Sequence, residues 1–204
     1  MTRISKDPEE RKSEIIAAAL QLFNQKGFEA TAVSDIVQKI GIAQGTFYYY
    51  FGSKDELLDQ VMEQFVEQLM QAMDVVVQNK ELDAIQKLRQ IIRLIFSIGK
   101  DLEGPVVEYV HEEKNAVMHQ KFSGKVLKML GPVLLHIIEE GKTQGLLNSD
   151  YTEEALEILL HGFIDYVHEH YFCKDRDLYN RKIEALVDVF ERLFGAPRGA
   201  LKIT

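Results

Sequence analysis

Cysteine occurs once in the 204 residues, as Cys173. A lone thiol cannot close an internal disulfide, and such sparing use suits a reducing, cytoplasmic setting, which is the expected location. No uncharged apolar run approaches the roughly 20 residues that cross a bilayer, so neither a transmembrane helix nor a membrane partner is expected. The opening residues, MTRISKDPEERKSEI, are charged and lack an apolar h-region, so no signal peptide is expected. Catalytic signatures are missing too. There is no HExxH, CxxC, nucleophile elbow, phosphate-cradling glycine loop or dinucleotide fingerprint. These absences leave an enzyme, a cofactor or a metal without a motif to rest on, and none of the three is expected.

What is present is helical periodicity. The first helix opens at Asp7-Pro8-Glu9-Glu10, with Asp as cap, Pro at the first helical position and Glu three residues after the cap. It closes at Gly27, with Ile15, Ala19 and Leu22 beside Ile16, Leu20 and Phe23 as adjoining apolar rows. Thr2 to Lys6 reads as a loose arm ahead of it. Further helices are expected from Ser53, over Leu82 to Ile98, from Pro105 through His111, over Phe122 to Gly141 with a bend or break at Gly131-Pro132, and from Thr152. A final helix follows, and GAPRGALKIT is read as a tail. No strand, internal repeat or low-complexity tract is evident, so the fold expected is all-α, with about nine helices.

The stretch Thr31–Glu56, TAVSDIVQKIGIAQGTFYYYFGSKDE, organises the rest. Ile36, Val37 and Ile40 share one face of a helix that ends at Gly41, where a left-handed residue is commonly needed. The next segment, Ala43 to Phe51, holds five consecutive aromatics, which on propensity alone suggests a strand. Wound at about 100° per residue it sorts cleanly instead: Phe47, Tyr50 and Phe51 lie in one half, while Gly45, Thr46, Tyr48 and Tyr49 lie in the other. Glycine permits close approach, and Thr and Tyr hydroxyls can bond phosphate oxygens or base edges. That spacing fits a helix-turn-helix whose second helix enters the DNA major groove. Ser53 with Glu56 then reads as a capping box that starts a long helix, and Lys54 in its first turn lies where a phosphate could bind.

Three groups of residues carry a family resemblance: Gly27-Phe28-Glu29-Ala30-Thr31 with Ile36, the run Gly41 to Phe51, and Lys54-Asp55-Glu56-Leu57-Leu58. They resemble the N-terminal domain of the tetracycline-repressor (TetR) family of bacterial transcriptional regulators, over roughly the first third of the chain. Two positions depart from the family pattern. Ala43 stands where a Ser or Thr often caps the reading helix, and Tyr50 where His is common. A missing cap costs about 0.5–2 kcal/mol, so this helix is expected to fray until DNA orders it.

The resemblance implies a DNA-binding domain at residues 1–67 and an effector-binding, dimerisation domain at 68–204. The implied partners are a double-stranded operator, a small apolar effector and a second copy of the chain. The implied activity is that of a sequence-specific repressor which the effector releases. The expected DNA contacts are Thr31, Gln44, Gly45, Thr46, Tyr48, Tyr49 and Lys54. The expected pocket draws on adaptable or aromatic side chains: Met62, Phe65, Met70, Phe96, Tyr109, Met118, Phe122, Met129, Phe163 and Tyr166. The expected dimer interface uses the apolar rows of the last two helices, Leu156, Leu160, Phe163, Val167, Ile183, Val187 and Phe190, because helices apolar over more than one stripe must bury more than one side. A two-fold dimer also places two reading helices about one DNA turn apart.

Charge fits this division. The total is −8, yet residues 1–54 carry seven Lys/Arg against six Asp/Glu, net +1, which leaves −9 on the other 150. An acidic body behind a near-neutral head weakens non-specific attachment to DNA. His161 and His168 share a helical face with Glu169 and His170 nearby, and are read as interface or pocket residues rather than ligands. On the residues alone two other readings stay open. One is a small-molecule-binding helical protein without a DNA partner; the other is a helical metalloenzyme built on His136, Glu139, Glu140, His161 and His168.

Overall fold

Helix signals of this strength produce helices. In the computed structural model, residues 7–101, 109–110, 112–171 and 176–202 are described, with backbone alone at 96–101, 113, 164–165, 167–171 and 176. Among them are eight α-helices, one short 3-10 turn and no strand. The expected arm from Thr2 to Lys6, and most of the expected helix from Pro105 to His111, lie outside the described residues. The described residues fall into two compact units, those of Met1–Gln68 and Asp101–His119, and those of Leu69–Lys100 and Gln120–Thr204.

In the first unit, α1 spans Pro8–Lys26, and the Asp7 carboxylate accepts the Glu9 N–H at 2.9 Å as its cap. Ile15, Ile16, Ala18, Ala19 and Phe23 are its buried face. The helix α2 spans Val33–Ile40, and Asp35 caps it by accepting the Ala32 N–H at 2.9 Å and the Lys26 ammonium at 2.5 Å. Gly41 ends it at φ +68°, ψ +35°, which lets the Ile42 N–H reach back to the Val37 carbonyl at 3.0 Å. A side chain there would pay for the left-handed backbone, so glycine fixes where the turn falls.

The helix α3 spans Gln44–Tyr50, and Ala43 offers it no side-chain cap. The helix α4 spans Lys54–Gln78 and runs from the first unit into the second. Ser53 Oγ accepts the Glu56 N–H at 3.0 Å, while the Glu56 carboxylate accepts from Gly52 N–H at 2.8 Å, so the reciprocal bond reaches one residue beyond the cap itself. A 3-10 turn at Glu113–Asn115 also belongs to this unit.

In the second unit, α5 spans Ala84–Asp101. Asp83 and Gln86 start it with two reciprocal bonds, the Gln86 N–H to Asp83 Oδ1 at 2.8 Å and the Asp83 N–H to Gln86 Oε1 at 2.9 Å. The helix α6 spans Ala116–Thr143 without interruption, six residues longer at its start than the expected Phe122. Pro132 sits inside it. Proline costs a helix the hydrogen bond to residue i−4, here Lys128, but both residues are on the exposed side, where water can take the freed carbonyl. The expected break at Gly131-Pro132 is therefore absent. The helices α7, Thr152–Tyr171, and α8, Arg176–Leu193, pack on one another.

The tail reading is corrected by the structure. Residues 194–201 are turned back and tied down: Asn148 N–H donates to the Phe194 carbonyl at 2.8 Å, and the buried Glu191 carboxylate accepts the Gly199 and Leu201 N–H groups, both at 2.7 Å. Arg89 donates to the Ala200 carbonyl through Nε at 2.8 Å and also through Nη2. Leu201 is fully buried. These partners lie up to 111 residues away in the chain, which a local reading cannot see.

Candidate nucleic-acid interface and apolar cavity

Every side chain of α3 is sorted by two anchors. Phe47 and Phe51 are fully buried with ring centroids 5.7 Å apart, and they pin one face of the helix to the first unit. The other face is left outside: Gln44 and Gly45 are exposed, Thr46 is half-buried, Tyr48 is 52% exposed and Tyr49 79% exposed, while the half-buried Tyr50 lies 6.5 Å from the Phe51 ring. The two phenols are braced rather than buried. Tyr48 meets Phe47 edge-on at 5.3 Å, and Tyr49 meets Tyr50 edge-on at 5.0 Å. A Cβ built on Gly45 meets no heavy atom within 4 Å, so its place on this face leaves room for another surface to come close. Two hydroxyl-bearing rings, an amide and a bare backbone segment on one short helix can bond to phosphate oxygens and base edges together.

Thr31 and Lys54 are placed otherwise than this face requires. The Thr31 side chain is buried, and its hydroxyl donates to the Gly27 carbonyl at 2.7 Å. Lys54 Nζ donates to the carbonyls of Phe28 at 2.8 Å and Thr31 at 2.9 Å, with that of Glu29 at 3.4 Å. Both polar groups are spent inside the first unit, on the turn between α1 and α2. Beside them the Phe28 ring packs on Tyr109 at 4.5 Å, and Lys114 bridges Glu29 at 2.6 Å and Glu112 at 2.8 Å. Lys114, chiefly by its hydrogen bond, lowers the pKa of Glu29. Burial, with the Asp55 carboxylate second, raises that of Tyr109.

The second unit holds an apolar cavity of about 50 Å³. Its walls are hydrocarbon only: Ile92 and Ile95 from α5, Leu130 and Leu134 from α6, Leu159, Leu160 and Phe163 from α7, and Leu186, Val187 and Phe190 from α8. Of the expected pocket residues, Phe163 lines it. Met62, Phe65, Tyr109 and Met118 belong to the first unit; Met70 and Tyr166 are exposed; Met129 is buried and Phe122 half-buried without lining it; the Phe96 side chain lies outside the described residues. Met and aromatic residues are the expected lining, whereas the cavity is walled mainly by Leu, Ile and Val that periodicity cannot tell from ordinary core.

The expected interface rows also face inward. Leu156, Leu160, Val187 and Phe190 are buried within the single chain, and Phe163 and Ile183 are half-buried; the Val167 side chain lies outside the described residues. The helices are the expected ones but the exposed stripes are different: Ile158, Gly162 and Tyr166 on α7, and Leu178, Ala185, Val189 and Leu193 on α8. Lys182 Nζ of α8 sits 4.8 Å over the Tyr166 ring of α7.

His136 and His161 are exposed, and His161 Nδ1 lies 2.9 Å from the Glu157 carbonyl oxygen. Glu139 is paired with Lys142 and Glu140 with Lys87. Among the described residues no three His, Cys, Asp or Glu side chains converge as metal ligands. His168 and His170 have no described side chain. No helix among the described residues is long and apolar enough to cross a membrane.

Two stretches of the chain match known protein families. The profile of the tetR family of bacterial regulatory proteins matches residues 15–61, and that of the tetracyclin repressor-like C-terminal domain matches residues 102–189. The chain is 27% identical over 147 residues to the HTH-type transcriptional repressor KstR2 of Mycobacterium tuberculosis, covering 69% of this chain and 73% of that protein. The crystal structure of the transcriptional regulator FadR from Bacillus subtilis in complex with stearoyl-CoA is 25% identical and superposes with a TM-score of 0.63, covering 87% of this chain and 98% of that one. A transcriptional regulator from Cytophaga hutchinsonii, 20% identical, has the same fold with a TM-score of 0.74, over 90% of this chain and 96% of that one.

Proposed function

The chain belongs to the tetR family of bacterial regulatory proteins, and from that premise we propose how this DNA-binding transcriptional regulator works. It acts as a cytoplasmic repressor, by binding rather than by catalysis. Residues 1–67 read an operator and residues 68–204 bind an effector and a second copy. Gln44, Gly45, Thr46, Tyr48 and Tyr49 of α3 meet the DNA. The observation that carries this is the exposed phenolic face of α3, held out by the buried Phe47 and Phe51.

The effector enters the second unit at the hydrocarbon-walled cavity, and its buried part is apolar, since the walls offer no hydrogen-bonding group. Support for that class comes from the stearoyl-CoA bound by the FadR relative. A ligand of that size needs far more room than about 50 Å³, so binding must spread the helices that line the cavity. Energetically the effector has to favour the released shape over the DNA-bound one, and a coupling of about 1–3 kcal/mol is the usual scale. The dimer forms on the outward stripes of α7 and α8, in place of the inward rows.

The test is Tyr49→Ala, read by binding to the duplex that the wild-type protein selects from a randomised pool. Specific binding is lost while helicity and dimerisation stay as in the wild type. Wild-type affinity would remove the α3 face from the interface.

A further inference from the structure

Lysine at the start of a helix that follows a reading helix suggests a phosphate ligand, but the geometry points elsewhere. The Lys54 ammonium has three N–H donors and no acceptor capacity. Three carbonyl oxygens surround it, those of Phe28, Thr31 and Glu29, at 2.8, 2.9 and 3.4 Å. The Phe28 ring covers the same ammonium at 4.3 Å from its centroid. The side chain is partly buried, so its donors are committed before any DNA arrives.

The carbonyls it gathers belong to one turn. Phe28 O also accepts the Thr31 N–H at 3.2 Å, and the Thr31 hydroxyl closes the turn on Gly27 O at 2.7 Å. This turn leads directly into α2, while Lys54 is the first residue of α4. A bond across it therefore ties the entry of α2 to the start of α4, and α3 is the only helix between them in the chain. α3 packs against α2 and is joined to α4 through residues 51–53, so the direction of the Tyr48 and Tyr49 rings depends on how those two ends are set.

We propose that Lys54 is a positioning residue for operator recognition, clamping the Phe28–Thr31 turn so that α3 presents its phenols at the correct angle, and that it does not bind a phosphate. The proposal rests on the reading of α3 as the helix that meets DNA. A positioning residue and a phosphate ligand differ in three ways. Charge is what a phosphate needs, so Arg would serve nearly as well as Lys. A clamp needs a compact ammonium among three carbonyls, which a planar guanidinium cannot reproduce. Finally, each phosphate contact steepens the dependence of binding on salt by about 0.9 in log–log slope, whereas a clamp leaves that slope alone.

The experiment measures binding of the full-length wild type and of Lys54→Gln, Lys54→Arg and Phe28→Leu. Each is titrated with the selected operator duplex and with a scrambled duplex of the same length, at several salt concentrations. The expected result is a loss of about tenfold or more in operator affinity for both Lys54 variants, with Phe28→Leu in the same direction. Affinity for the scrambled duplex and the salt slope stay at wild-type values. A Lys54→Gln slope shallower by about 0.9 with Lys54→Arg at wild-type affinity would overturn the proposal, and so would wild-type operator affinity in both Lys54 variants. If Lys54→Gln melts below the assay temperature, that supports the clamp, because a phosphate ligand does not hold the free protein together; the slope is then read from Lys54→Arg. Wild-type binding by Tyr49→Ala sinks the reading of α3 instead, and a lowered melting temperature of the Lys54 variants still registers the clamp in that case.

Discussion

Replacing Ile158 by aspartate should convert the proposed dimer to a folded monomer. In the isolated chain this side chain is 74% exposed on α7, in the stripe with Gly162 and Tyr166, and α8 has Val189, 44% exposed, and Leu193 exposed as well. Burying an isoleucine is worth about 1.5–3 kcal/mol. A two-fold interface uses the same residue twice, so the hydrocarbon term alone removes about 3–6 kcal/mol per dimer. At 1.4 kcal/mol per decade that is a rise in Kd of about one hundred to ten thousandfold, before the cost of two carboxylates facing an apolar surface. Sedimentation velocity over a concentration series reads it directly. The control is Leu160→Ala, which opens the buried wall of the cavity and should lower the stability of the second unit by about 2–5 kcal/mol. If Ile158→Asp kept the wild-type Kd, or if Leu160→Ala separated the subunits without loss of stability, the outward stripe would be the wrong face.

Three further outcomes are expected. The Asp35 carboxyl is held below the usual carboxylate range by the Lys26 ammonium first and the Ala32 N–H second. A depressed folded value means that the capping contribution is complete above about pH 4 and drains away as pH falls through that lower value. Carboxyl NMR titration should place the Asp35 midpoint below that of a free aspartate, and Asp35→Asn should flatten this part of the acid-unfolding profile. Lys87 is buried with Nζ 2.8 Å from Glu140, which Gln144 Nε2 also bonds at 3.0 Å. Lys87→Met strands a partly exposed carboxylate and should cost about 2 kcal/mol in urea unfolding, less than a fully buried pair would lose; an unchanged midpoint would show that the pair contributes nothing. Gly195 has φ +67°, and a Cβ there would stand 2.8 Å from the Asn148 carbonyl oxygen. Gly195→Ala should therefore cost about 2 kcal/mol or more, read as a lower melting temperature, and a wild-type Tm would contradict the tied-down C-terminus.

The reading head was legible because its signals are short-range. Asp7-Pro8, Gly27, Gly41 and Ser53 are stop and start marks whose partners lie within a few residues, and the 100° winding of Ala43 to Phe51 places Phe47 and Phe51 on one side whatever surrounds them. The same holds for the existence of the later helices. It does not hold for their faces. When α7 and α8 each carry apolar residues on more than one stripe, periodicity offers more than one candidate face, and which one is inside depends on helices tens of residues away. That is why Leu156, Leu160, Val187 and Phe190 were expected at an interface and are found in the core. Pocket and core are likewise one class in sequence, since a wall of the cavity differs from packed interior only in a missing neighbour. Lys54 and Arg89 make the point for polar groups: a donor does not reveal its acceptor when the acceptor is a backbone carbonyl, a group that every residue carries. Sequence alone settled where the chain coils and which short helix is turned outward; the tertiary packing decided which charges are free and which hydrocarbon is left uncovered.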